Sequence, residues 1–221
     1  MSRRRYNWAE AEAHLRGRCD RLAAFIDDFG PRKLTIRQEG DLFSALARAV
    51  AYQQLSGKAA GTIHGRFVKL FPDERASAEQ AVAMPAETLR AVGLSRAKTL
   101  SILDLAEHCL AGALPTPRQM GRMTDEEIIA SLCQVRGIGP WTAQMYLIFN
   151  LGRPDVMPAT DLGVQRGVQN VYRLLALPEP GAVDKLTRHF GPFRSVASWY
   201  FWRASEQPVN PAPGPGAVAE A

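Results

Sequence analysis

The chain has 221 residues and a net charge of +5, a length that suits one large domain or two small lobes sharing a core. With 46% hydrophobic and 22% charged residues its composition is that of a globular protein, which excludes wholesale disorder. The longest uncharged run, Gly137 to Gly152, spans about 16 residues and holds Pro140, Gln144 and Asn150, so it falls short of a membrane helix of roughly 18 or more apolar residues.

The periodicity is helical almost throughout. Trp8 to Phe29 sets Leu15, Leu22, Phe25, Ile26 and Phe29 near one face, opposite the charges. The basic Met1–Trp8 segment has no apolar stretch behind it and does not read as a secretory signal. Lys33–Arg37 is the one weak strand candidate. Asp41 is placed to cap a helix carrying Leu42, Phe43, Leu46, Val50 and Leu55, and Ala59–Phe71 continues the pattern. Pro72-Asp73 breaks the chain before two short helices near 76–83 and 85–92. Ser95–Leu110 is amphipathic, with Ile102, Leu103, Leu105 and Ala106 inward, and Gly112, Pro115 and Pro117 end it.

Thr124-x-x-Glu127 is a capping box opening a helix to about Val135. Gly137-Ile138-Gly139 interrupts, and Pro140 stands where a first helical residue tolerates proline. Further helices are expected to about Asn150, over Asp161–Leu175, over 182–190 and over Phe193–Ser205. The tail at 207–221, rich in proline, glycine and alanine, cannot bury a core. About ten helices and almost no sheet predict an all-α fold.

The most informative stretch is Val135-Arg136-Gly137-Ile138-Gly139-Pro140-Trp141-Thr142-Ala143. Glycines permit positive φ and a close approach to the main chain. The N–H groups of the turn and of the next helix's first turn then form an anion site that suits a DNA phosphate and reads no base. Gly-x-Gly by itself would favour an ordinary αα-hairpin with a glycine cap, whereas the whole pattern, with Val135 before it and a helix start after it, favours the anion site. The basic charge, mostly arginine, favours a polyanionic partner weakly.

With these residues the chain resembles the helix-hairpin-helix (HhH-GPD) DNA glycosylase superfamily, in particular its 3-methyladenine DNA glycosylase II branch. Three further blocks carry the resemblance in the same order: Ala51-Tyr52-Gln53-Gln54-Leu55-Ser56-Gly57-Lys58, then Val156-Met157-Pro158-Ala159-Thr160-Asp161, then Arg194 to Arg203. The family's essential aspartate falls on Asp161, 20 residues after Trp141. The resemblance implies a two-lobed fold over residues 1–206, with the active site in the inter-lobe cleft. One lobe would cover about 40–155 and contain the hairpin at 125–150; the other would combine about 1–39 with 156–206. The match begins almost at the N-terminus, leaving no room for the extra β-rich domain of the longer enzymes.

Cleaving an N-glycosidic bond builds positive charge on the sugar, and a carboxylate beside it stabilises that charge and orients the attacking water. Asp161 is assigned that role by the resemblance, while on local grounds it also reads as a helix N-cap. Strand-cutting relatives carry a lysine two residues past the last glycine of the hairpin. That position is Trp141 here, and no lysine lies between Lys98 and Lys185, so the resemblance implies a monofunctional hydrolase without an imine intermediate. The three cysteines, Cys19, Cys109 and Cys133, provide no iron–sulfur ligand set, and no cofactor is expected to be required.

The resemblance implies a base pocket at Trp141 and Trp202, with Tyr200 nearby and Met145 where an aromatic is sometimes found, and an electron-rich indole there would attract a cationic methylated purine. Gln53, Gln54, Leu55 and Ser56 form the expected wedge and minor-groove contact, with Gln54 and Leu55 both open as the inserted residue. Gly137, Gly139, Thr142 and Lys58 are expected at phosphates. A structural monovalent cation is implied at the main-chain carbonyls of Cys133, Val135 and Ile138. The expected partner is duplex DNA with alkylated bases, bound by a monomer in the cytoplasm of a bacterium, with no membrane. Rival readings are a non-catalytic DNA-binding module and a glycosylase for a neutral lesion such as uracil or hypoxanthine.

Overall fold

The computed structural model describes residues 6–30, 34–37, 41–55 and 57–207. All regular structure among them is helical. The chain opens with α1 (Trp8–Arg16) and α2 (Asp20–Phe29). It continues through α3 (Leu42–Tyr52), α4 (Gly57–Val68), α5 (Ala78–Ala83), α6 (Ala86–Ala91) and α7 (Arg96–Leu110). Then come α8 (Pro117–Met120), α9 (Asp125–Leu132) and α10 (Pro140–Phe149), and finally α11 (Leu162–Tyr172), α12 (Pro180–Thr187) and α13 (Arg194–Ala204). The chain divides into two compact units: Ile36–Leu151, holding α3 to α10, and the segments on either side of it, holding α1, α2 and α11 to α13.

Local sequence accounts for most helix starts. Asp41 accepts the Ser44 N–H at 2.8 Å and caps α3. Thr124 and Glu127 form the full reciprocal box on α9, and Thr116 with Gln119 forms a second one on α8. Pro140 occupies the first turn of α10. Several ends differ from the periodic reading. The stretch from Trp8 to Phe29 is two helices, because Cys19 takes extended angles (φ −156°, ψ 109°) between the end of α1 and the start of α2. The helix from Asp161 stops at Tyr172, where Arg173 takes left-handed angles (φ 56°, ψ 46°). Residues 34–37 form neither helix nor strand; Arg37 N–H instead donates to the Phe149 carbonyl at 2.7 Å. Lys33, Ser56 and the tail from Pro208 lie outside the described residues.

The first unit is centred on α3 and α7, burying Phe43, Leu46, Val50, Ile102 and Leu105. Burying such side chains is the main stabilising term, worth about 1.5–3 kcal/mol each. In the second unit α11 lies directly on α13. A Cβ on Gly167 would stand 2.6 Å from Phe201 Cα, so glycine there sets how closely the two backbones approach. Around this pair Leu15, Leu22, Ile26, Val168, Val196 and Tyr200 are buried.

Candidate active site

The second unit positions Asp161. The segment leading to it is pinned along α13: Ser195 N–H donates to Pro154 O (2.9 Å), Val156 N–H to Ser195 Oγ (2.9 Å), and Ser198 Oγ to Val156 O (3.2 Å). Asp155 takes the Arg194 N–H (3.1 Å) and two guanidinium bonds (2.8 and 2.9 Å). Burial pushes the Asp155 carboxyl up, but the bonds to Arg194 and its charge outweigh burial and leave it below its ordinary value. Closer to the site, Asp161 N–H donates to Pro158 O (2.9 Å) and Gln165 Nε2 to Ala159 O (3.0 Å).

Asp161 caps α11 and is half-buried. Its Oδ1 accepts two donors, the Val164 N–H at 2.9 Å and the Trp202 indole N–H at 2.8 Å. Gly163 makes room for the indole: a Cβ there would lie 2.9 Å from Trp202 Cδ1 and 3.1 Å from Asp161 Oδ1. Trp202 is therefore held beside the carboxylate through its N–H. Tyr200 requires a correction. It is 0% exposed, its hydroxyl donates to Glu12 Oε2 at 3.0 Å, and its ring packs against Trp8 and Trp199, so it is core and not a pocket wall. Two positions along a helix turn a side chain by about 200°, and Tyr200 and Trp202 accordingly face different surroundings.

The first unit carries the hairpin of α9, the turn and α10. Val135 and Ile138 are buried beneath it. The two glycines serve different needs. Gly137 has φ +74°, and a Cβ on it would collide with Ser101 Oγ of α7, so its requirement comes from inside the protein. Gly139 has φ −100° and nothing within 4 Å of a Cβ, leaving an open approach at the start of α10. Trp141 and Met145, both half-buried, lie one turn apart on α10.

Two phosphate and wedge expectations change. Thr142 is 2% exposed and its hydroxyl accepts Gln53 Nε2 at 3.0 Å, so that side chain faces the interior and not a phosphate. The same Gln53 amide donates to the Gly137 carbonyl at 2.9 Å, which commits it to the hairpin and away from the groove. Gln54, at φ 55°, and Leu55, 41% exposed, point outward. Lys58 is exposed on the first turn of α4. Periodicity concealed three side chains that shape this region: Lys98, which donates to the Ala51 and Gln53 carbonyls (3.0 and 2.7 Å), Ser101, and Asp104, whose Oδ2 accepts the Arg136 N–H at 2.7 Å. Their one sequence signal is a spacing of three along α7, which aligns them on one face.

At the turn the Val135 carbonyl already accepts the Ile138 N–H at 3.1 Å and keeps its second lone pair. Among the described residues no group of three or more His, Cys, Asp or Glu side chains could hold a metal ion, so a cation there would rest on carbonyl oxygens.

Residues 47–192 match the model of the HhH-GPD superfamily base excision DNA repair proteins. The chain belongs to this superfamily. The HhH-GPD chain is 37% identical over 215 residues to DNA-3-methyladenine glycosylase 1 of Schizosaccharomyces pombe, covering 91% of this chain and 92% of that one. It superposes with a TM-score of 0.84 on an S. pombe 3-methyladenine DNA glycosylase in complex with abasic DNA, at 36% identity over 90% of this chain and 97% of that one. A Bacillus halodurans DNA-3-methyladenine glycosidase is similar at 30% identity and a TM-score of 0.77, with 88% of each chain covered.

Proposed function

We propose that the protein is a monofunctional DNA glycosylase that hydrolyses the N-glycosidic bond of alkylated purines in duplex DNA, opening base excision repair. The observation that carries this reading is the Asp161 carboxylate. It is oriented by two N–H donors in a chain of this superfamily whose hairpin has Trp141 where a nucleophilic lysine would stand.

The chemistry follows from the charge on the substrate. In 3-methyladenine or 7-methylguanine the base is a cation, so the C1′–N bond breaks with its electron pair moving onto the base, which leaves neutral. The sugar becomes oxocarbenium-like, and the Asp161 carboxylate stabilises it electrostatically. Water then adds at C1′; its proton passes to Asp161 and on to solvent. No general acid is needed for a leaving group that is already positive. Trp141 and Met145 are assigned to the extruded base, Gln54 and Leu55 to the gap it leaves, and Gly139 with Lys58 to phosphates. The carbonyls of Cys133, Val135 and Ile138 are assigned a monovalent cation that would stiffen the turn. Equal DNA affinity in potassium and tetramethylammonium buffers of matched ionic strength would remove that assignment.

The partner is duplex DNA and the acting species a monomer, placed in the cell with the chromosome. Among the described residues no helix is long and apolar enough to cross a membrane. The test is incubation with methylated duplex DNA and mass-spectrometric identification of what is released. Free 3-methyladenine and 7-methylguanine, with the strand unbroken at the abasic site, is the expected result. Duplex binding without any released base would make the protein a binding module, and release of hypoxanthine or uracil instead would move its substrate class.

A further inference from the structure

The structure assigns Gln53 and Lys98 as positioning residues that lock the α3–α4 turn to the hairpin, so that the phosphate grip at Gly139 and insertion at Gln54–Leu55 act as one rigid device. This rests on the proposed DNA glycosylase reading. Gln53 Nε2 spans the hairpin turn, reaching the Gly137 carbonyl before it (2.9 Å) and the Thr142 hydroxyl after it (3.0 Å). Both protons of that amide are thereby used.

Lys98 holds the other side of the same residue. Its Nζ donates to Gln53 O (2.7 Å) and to Ala51 O (3.0 Å) at the end of α3. The last carbonyls of a helix have no partner within it, and a cation there also complements the helix dipole. One helix, α7, carries the whole arrangement. Lys98 meets the turn, Ser101 lies under Gly137, and Asp104 takes the Arg136 N–H at 2.7 Å. With Gln53 tied inward on its side chain and on its carbonyl, the chain turns out at Gln54, with φ 55°, and presents Gln54 and Leu55 to solvent. Gln53 thus sets where the wedge stands relative to the phosphate grip without touching DNA.

The test uses Gln53→Met and Lys98→Met, which keep side-chain length and remove the donors, with Thr142→Val as a third variant that removes one acceptor. The DNA is a duplex with an uncleavable tetrahydrofuran abasic site and 2-aminopurine beside it, whose fluorescence rises when insertion unstacks it. For Gln53→Met we expect affinity for undamaged duplex within about 2-fold of wild type. The fluorescence rise at saturating protein should fall by at least half, and excision from methylated duplex at saturation should drop about 10-fold. Thr142→Val should shift both in the same direction by less. Lys98→Met should show the same insertion defect while the slope of log affinity against log salt stays at the wild-type value. The double variant should be no worse than the worse single one, because both residues hold one lock.

Three results would overturn the assignment. One is a salt slope smaller by about 0.9 in Lys98→Met, the mark of a lost phosphate contact. Another is weaker DNA binding in Gln53→Met with wild-type insertion and excision at saturation, which would put Gln53 back in the groove. The third is a wild-type protein that produces no fluorescence rise. A wild type that unstacks the abasic site but releases no base would sink the glycosylase reading and leave this coupling standing.

Discussion

At Asp161 two N–H groups converge on one carboxylate oxygen, which fixes the orientation of the other toward whatever sits beside it. Replacing Asp161 by Asn keeps an acceptor for the cap and removes the negative charge. Single-turnover excision should fall by roughly 10²–10⁴-fold while affinity for lesion DNA stays within a few-fold. Equal losses in both, measured by quenched excision and by fluorescence anisotropy, would mean that the residue is a structural cap. A second residue-scale prediction concerns His64, packed against Tyr52 and Phe67 in the first unit. Burial, helped by the charge of Arg48, lowers its pKa from 6.5 to about 4. The unfolded chain therefore takes up a proton on this residue that the folded chain refuses. Stability is lost as pH falls from about 6.5 toward 4, and the loss is complete below the folded value. In His64→Phe the melting temperature should decline less steeply over that interval. Parallel declines in the two proteins would rule out a buried neutral imidazole.

At the scale of elements, three glycines on helices or turns make separable predictions. Gly139→Ala meets open space at ordinary backbone angles, so its melting temperature should hold. Its binding to damaged and undamaged duplexes should weaken by a similar factor, because a phosphate grip carries no lesion information. A loss confined to lesion DNA would move the grip away from this turn. Gly137→Ala instead drives a Cβ into Ser101 at a positive φ, and should cost about 2–4 kcal/mol in denaturant titration. Gly167→Ala faces the backbone of Phe201, which has no rotamer to yield, and should separate α11 from α13 at a cost of about 3 kcal/mol or more. Near-wild-type stability of Gly167→Ala would show that the two helices pack less closely than described.

For the whole molecule, the decisive chemical feature is the lysine missing from the hairpin. With Trp141 in its place and no lysine between Lys98 and Lys185, the enzyme should form no imine with the sugar. Borohydride added during turnover should therefore trap no protein–DNA adduct on a denaturing gel. An adduct that persists after the N-terminal amine is blocked would end the monofunctional assignment. Lys98 is the nearest preceding lysine, and its Nζ is bound to the Ala51 and Gln53 carbonyls. Burial also lowers its pKa from the ordinary value.

By itself the sequence determined the all-helical class, most helix starts, the glycine turn between α9 and α10, and Asp161 as a cap at a motif position. Those features are local: a capping box, a proline at a first turn or a 3.6-residue stripe depends on neighbours within about one turn. Tertiary structure alone decided which way polar side chains on those helices point. Tyr200 and Trp202 stand two apart on α13, yet one is core bonded to Glu12 and the other reaches Asp161. Gln53 and Thr142 look like surface residues in the chain, but each finds its hydrogen-bonding partner across more than 80 residues, on the far side of a turn. The reason is energetic. A buried donor must be paired wherever a partner lies in space, and which one lies near is set by how α3, α7 and α10 pack, information that no local window contains.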